Sequence, residues 1–182
     1  DDALFRSSHV SNVSYDLDFD LSLDKVFLGQ TKISFELSSV PQFLTLDFVE
    51  GDVKSLELNG KSLDPTSHNG SLILLKAENL IKGKNLLRVN YSHAYNNTGK
   101  GLYRFVDPED KRVYIYTDLE PYDANKVFPC FDQPDIKATY SIRVTTPKDW
   151  NVVTSKRENS KTFDQKTGKL RWTFPESKKF ST

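Results

Sequence analysis

The chain has 182 residues, enough for one large domain with its own core or for two small ones, and one all-β domain over 1–182 is the simpler count. Lys and Arg total 25 and Asp and Glu total 25, so no net field draws the chain to nucleic acid, an anionic membrane or a strongly charged substrate. Cys130 is the single cysteine, which excludes a cystine-framed module and leaves the redox compartment open.

The acidic start Asp1-Asp2 lacks the basic-then-apolar pattern of a signal peptide, and the missing Met reads as a processing boundary that leaves a removed export signal open. No apolar run approaches the roughly 20 residues that span a bilayer. The expectation is a soluble chain, cytoplasmic or exported. From Val13 through Tyr15, Leu17, Phe19, Leu21 and Leu23 apolar residues alternate with polar ones, the period of a strand with one buried face. A second alternation, Thr31 to Leu37, follows a turn placed near Gly29 and predicts an antiparallel hairpin. Leu44 to Phe48, Val53 to Leu58, Leu72 to Leu75 and Leu87 to Tyr91 continue the pattern, with the turn dipeptide Asn59-Gly60 among the breaks.

His93 to Lys100 is polar and rich in Asn and Gly, and predicts an exposed loop. Val113 to Tyr116 is a short strand of β-branched and aromatic residues. Pro121 to Val127 has room for a turn or two of helix, with Pro121 at its first position and Pro129 ending it. Alternation resumes at Ala138 to Val144 and again at Leu170 to Phe174. No helical periodicity persists over three turns, and no repeat or low-complexity segment is present. The organisation is all-β: a large, mostly antiparallel sheet system with one irregular segment, Thr117 to Lys137. Asn-x-Ser/Thr sequons begin at Asn12, Asn69, Asn90 and Asn96, tripeptides that arise readily by chance.

The irregular segment carries the sharpest signal. It reads Tyr116-Thr-Asp-Leu-Glu-Pro, then Tyr-Asp-Ala-Asn-Lys-Val, then Phe128-Pro-Cys-Phe-Asp-Gln-Pro-Asp-Ile-Lys-Ala-Thr-Tyr140. It resembles the signature of the M1 zinc aminopeptidases of the aminopeptidase N kind: a strand ending in Thr-Gln-x-Glu-Pro, a short helix with Ala, then Phe-Pro-Cys-Phe-Asp-Glu-Pro and Lys-Ala. Gly101-Leu-Tyr-Arg-Phe upstream and Pro147-Lys-Asp-Trp-Asn-Val-Val-Thr-Ser downstream extend the resemblance over almost the whole chain. The last residues, Phe180-Ser-Thr, stop inside the family's Met-Ser-Thr-Tyr-Leu run. The resemblance implies a saddle-like amino-terminal β-domain with smaller accompanying sheets, preceding a thermolysin-like catalytic domain that these residues do not include. It also implies zinc in the parent enzyme and none in this fragment. The family's metal motif is His-Glu-x-x-His on a helix; His9, His68 and His93 do not belong to such a pattern, and the Gly-x-Met-Glu-Asn strand is absent. No catalytic residue is expected within the fragment, which should be inert alone.

Glu120 is the leading candidate. On local sequence it is a loop carboxylate before Pro, most of which are solvated. The resemblance implies that it binds the free α-amine of a peptide, a charged anchor that would measure one residue from the scissile bond. Asp118 stands where the family has Gln; a carboxylate accepts but does not donate, and it adds negative charge two residues from Glu120. Strand alternation would put the two on one side, unless the chain turns there. Cys130, with no neighbouring His, reads as core packing. Asp123, Asp132 and Asp135 read as turn chemistry rather than a metal site. Tyr103, Tyr114 and Tyr116 read as facing a core or an interface rather than a sugar.

Three functions compete. The first is the substrate-amine-binding domain of a zinc aminopeptidase, its partners the peptide N-terminus and the missing catalytic domain. The second is a non-catalytic scaffold of the same fold, against which retention of Glu120 argues. The third, a glycan-binding β-module, rests on aromatic content alone.

Overall fold

The structure, a computed structural model, describes residues 2–182, so Asp1 lies outside it. In chain order it contains helix α1 (Asp2–His9), β1 (Val10–Asp20), β2 (Val26–Leu37), β3 (Phe43–Asp47), β4 (Asp52–Leu58), β5 (Lys61–Leu63), β6 (Leu72–Lys76), β7 (Gly83–Ala94), β8 (Gly101–Val106), β9 (Val113–Asp118), β10 (Ala138–Pro147), β11 (Ser160–Asp164) and β12 (Lys169–Phe174), with short 3-10 turns at Pro65–Ser67, Ala77–Asn79 and Ala124–Lys126. Eight strands form one open sheet in the order β11-β12-β10-β1-β2-β7-β4-β5, while β3 pairs with β6 and β8 with β9 in two small sheets. All pairings are antiparallel except β1 with β10. Among the described residues no helix is long and apolar enough to cross a membrane.

The two faces of the large sheet follow from alternation. On β1, Val13, Tyr15 and Leu17 point inward and are buried, whereas Asp16, Asp18 and Asp20 take the opposite phase of the alternation and meet cations from neighbouring strands. Arg143 on β10 contacts both Asp16 and Asp18, Arg171 on β12 contacts Asp18, and Lys169 reaches Asp20 at 3.0 Å. Farther along, Gln30 donates to Asn90 and Asn90 to Ser55, each at 2.7 Å, so a polar ladder crosses β2, β7 and β4. The inner face carries Phe35, Ile33, Leu58, Leu87 and Val89, all buried, and packs on the β3–β6 sheet through Leu44, Leu46, Ile73 and Leu75 in one continuous core. Each such side chain contributes about 1.5–3 kcal/mol by leaving water.

Three placements differ from expectation. Gly29 is not in a turn: β1 and β2 are joined by Leu21–Lys25, and Gly29 sits within β2 opposite Phe19 and Tyr91. A Cβ there would fall 2.2 Å from Tyr91 Cζ, so the glycine makes room for that ring. The loop begins later than His93, because β7 runs to Ala94 and His93 is buried with its Nε2 2.8 Å from the Val49 carbonyl. Helix does not start at Pro121; the 3-10 turn is Ala124–Lys126, and the preceding residues 119–123 close a separate turn by the Asp123 N–H to Leu119 carbonyl bond at 3.0 Å.

Candidate functional site

The β8–β9 hairpin pairs Gly101 with Asp118 at one end and Val106 with Val113 at the other. Tyr103 and Tyr116 meet across it, their rings 4.9 Å apart. Tyr114 and Tyr116 remain about half exposed. The hairpin's inner end is anchored by Leu102, which is buried, and by Leu119, packed against the same core. At that end the strand stops at Asp118 and the chain turns through Leu119 to Asp123.

Glu120 lies in this turn and is exposed. Among the described residues its carboxylate has no hydrogen-bond or ion-pair partner, while its carbonyl accepts from Lys100 Nζ at 3.0 Å. Asp118 is different: its Oδ2 lies 3.4 Å from Lys100 Nζ, with both side chains about 43% exposed. The two acidic residues singled out from the sequence thus share one neighbour, Lys100, through a carboxylate in one case and a main-chain carbonyl in the other. Sequence reasoning missed Lys100. The only available signal was its place directly before Gly101, whose partner in the hairpin is Asp118.

The remaining acidic residues of the segment hold structure together. Asp123 is buried and bonded to Lys126 Nζ at 2.6 Å, which holds its carboxyl below the usual range. Asp132 Oδ2 accepts from the Asn125 N–H at 3.0 Å and from Asn125 Nδ2 at 2.8 Å. Asp135 accepts from Ser7 Oγ at 2.6 Å. These three carboxylates have separate partners and do not converge, and among the described residues no group of three or more His, Cys, Asp or Glu is placed to hold a metal. The imidazoles are committed to the main chain. His68 Nε2 lies 2.8 Å from the Phe48 carbonyl, His93 contacts the Val49 and Ala94 carbonyls, and His9 Nδ1 lies 3.0 Å from the Phe5 carbonyl. The residues present therefore do not fit a catalytic zinc.

The Phe128 to Asp132 run forms the floor beneath the turn. Cys130 is fully buried and exchanges main-chain bonds with Asp47 at 2.8 and 3.1 Å, and burial pushes its thiol well above the usual range. The Phe131 N–H donates to the Tyr15 hydroxyl at 3.0 Å, and the Asp132 N–H to Asp47 Oδ2 at 3.0 Å. Asp47 also receives Arg6 from α1 at 2.7 Å, with both side chains more than nine-tenths buried. The acidic turn thus stands on a fixed base.

Along β9 lies an open groove of about 1080 Å³, lined by Val113 to Thr117 of that strand and by Phe19, Leu21, Ile142, Val144 and the 149–155 loop. Neither Asp118 nor Glu120 lines it. Its walls are more apolar than polar, and the charged residues on them are Lys111, Arg112 and Asp149. The chemistry-bearing turn and the large cavity are separate features.

A family model described as "Peptidase M1 N-terminal domain" matches residues 11–182. Among curated proteins the chain is similar to an aminopeptidase N of Streptomyces lividans, 36% identical over 159 residues that make up 85% of this chain and 18% of that protein. It is likewise similar to the glutamyl aminopeptidase of Homo sapiens, 32% identical over 162 residues, covering 80% of this chain and 17% of that protein. An aminopeptidase 2 of Candida albicans is 26% identical over 149 residues, 78% of this chain and 16% of its own length. The chain therefore spans less than a fifth of the length of these relatives.

Proposed function

Since this chain belongs to the peptidase M1 family as its N-terminal domain, we propose that Glu120 binds the free α-amine of a peptide whose N-terminal residue is removed by a longer polypeptide containing this domain. The observation that carries the reading is the state of one carboxylate. Asp118, Asp123, Asp132 and Asp135 each have a partner within the chain, whereas the Glu120 carboxylate is exposed and, among the described residues, unpartnered on a turn whose base is buried. A primary ammonium would complete it with charge-assisted hydrogen bonds. An anchor fixed at the peptide terminus gives exopeptidase selectivity, because it places the first peptide bond, and no later one, at a constant distance from the anchor.

The bond-breaking groups are assigned to the catalytic domain of that longer polypeptide. Zinc bound there would supply an activated water and polarise the scissile carbonyl. This chain's part is to bind and orient the amine. Alone, it is proposed to be inert and to retain no stoichiometric zinc on dialysis. Asp118 is proposed to belong to the same amine site, its charge opposed by Lys100 at 3.4 Å.

The test is Glu120→Gln in the full-length polypeptide. It keeps the shape and removes the charge, and the expected loss is roughly 10- to 100-fold in kcat/KM for aminoacyl anilides, the scale of one charge-assisted hydrogen bond. The variant should also lose affinity for simple amines as competitive inhibitors. An unchanged kcat/KM together with unchanged amine inhibition would overturn the amine-anchor reading. Turnover by the purified 182-residue chain would overturn the assignment of the chemistry to the other domain.

A further inference from the structure

We propose that Lys100 is a positioning residue of the amine site: a resident cation that occupies Asp118 and leaves Glu120 as the single vacant carboxylate. The inference rests on the amine-anchor reading above and specifies the charge that the site presents.

Lys100 is delivered to the site by a built loop. The Asn96 side chain accepts from the Thr98 N–H at 2.6 Å and from Thr98 Oγ1 at 2.7 Å. Its main chain is tied on both sides, the Asn96 N–H donating to the Leu102 carbonyl at 2.9 Å and the Arg104 N–H to the Asn96 carbonyl at 3.0 Å. Gly101 follows with φ of 63° and pairs with Asp118. Lys100 is thereby carried past the end of β8 to face the turn that begins after Asp118.

Its ammonium then has three neighbours: the Glu120 carbonyl at 3.0 Å, Asp118 Oδ2 at 3.4 Å and Asp123 Oδ2 at 3.6 Å. Asp123 already has Lys126 at 2.6 Å. Among the described residues three carboxylates, Asp118, Glu120 and Asp123, stand against two lysines, leaving one negative charge in excess, and the unpartnered group is Glu120. That excess matches one peptide N-terminus. The sequence alone makes the site doubly anionic through Asp118, but the geometry places an opposing cation of the same chain beside it. The bond to the Glu120 carbonyl adds a second effect, since it ties down the residue that bears the vacant carboxylate.

Removing the Lys100 charge should uncover Asp118 as a second cation acceptor. The experiment compares butylamine, with one ammonium, and 1,4-diaminobutane, with two, as competitive inhibitors of the full-length enzyme. It uses wild type, Lys100→Met, Lys100→Arg, Lys100→Met with Asp118→Asn, and Glu120→Gln, each checked for an unchanged melting temperature. Lys100→Met should favour the diamine over the monoamine about five-fold more than wild type does, the scale of one exposed ion pair. Lys100→Arg should keep the wild-type ratio, and adding Asp118→Asn should restore it. A ratio unchanged by Lys100→Met, while Glu120→Gln weakens both amines, overturns the role of Lys100 and leaves the anchor standing. If Glu120→Gln weakens neither amine, the anchor itself is wrong. Should Lys100→Met fail to fold, Lys100→Gln supplies the same comparison.

Discussion

Glu120 and Asp118 differ in what surrounds them more than in what they are. Both are carboxylates at the end of one strand, but Asp118 faces an ammonium and Glu120 faces solvent. The surrounding motif singles both out as candidates; their inequality is not legible there, since it depends on a lysine contributed by the loop before β8. The same holds for Arg6, which local sequence marks only as a cation ahead of the first strand. It is buried against Asp47 at 2.7 Å and also donates to Thr45 Oγ1 at 2.7 Å. Breaking such a pair leaves an uncompensated buried charge, so Arg6→Ala should destabilise the domain by about 3–5 kcal/mol. Replacing both partners, Arg6→Met with Asp47→Leu, should recover part of the loss, although Asp47 Oδ2 also accepts from the Asp132 N–H. Denaturant melts of the two variants would check this, and equal destabilisation would place the cost in the lost amide bond instead.

Among the elements, strands with one buried face were legible and uniformly exposed ones were not. β2 and β7 alternate over their whole length and β1 from Val13 to Leu17, although the alternation expected from Thr31 begins well inside β2, which starts at Val26. β11 is exposed at all five positions, being the outer strand of the sheet, and leaves no period-two signal. α1 is too short for helical periodicity to be read, and it also lies ahead of the family match, which starts at residue 11. Gly29 shows a third kind of miss. Glycine before an alternating run reads as a turn, but here it is the one residue in β2 small enough to lie under Tyr91. Gly29→Ala should therefore cost about 1–3 kcal/mol by overpacking, whereas a turn glycine at ordinary φ would tolerate alanine. Pairing it with Tyr91→Phe should not relieve the clash, because the nearest atom is ring carbon Cζ rather than the hydroxyl. Thermal melts of the single and double variants separate these outcomes.

At the scale of the whole molecule, all-β architecture and one dominant sheet follow from pattern alone, while the order of its strands does not. Alternation says which residues face inward and nothing about which strand lies beside which. The most consequential neighbour relation is the parallel pair of β1 with β10, running from Val13 opposite Ala138 to Asp20 opposite Thr145. A chain emerging from the ribosome can pair β1, β2, β7 and β4 among themselves through connections within its first half. The other side of β1 must wait until β10, Ala138–Pro147, has been made. Until then a long strand with buried-face residues Val13, Tyr15 and Leu17 has an open edge, the kind of surface that recruits other chains, and pairings so distant in sequence form slowly. Pulse-labelled hydrogen exchange during refolding should protect the amides shared by β2 and β7 before those shared by β1 and β10, and simultaneous protection would refute that order. The seam between β1 and β10 is thus where a nascent copy is most exposed to its neighbours on a crowded polysome, and where a chaperone that masks strand edges would have the most to cover.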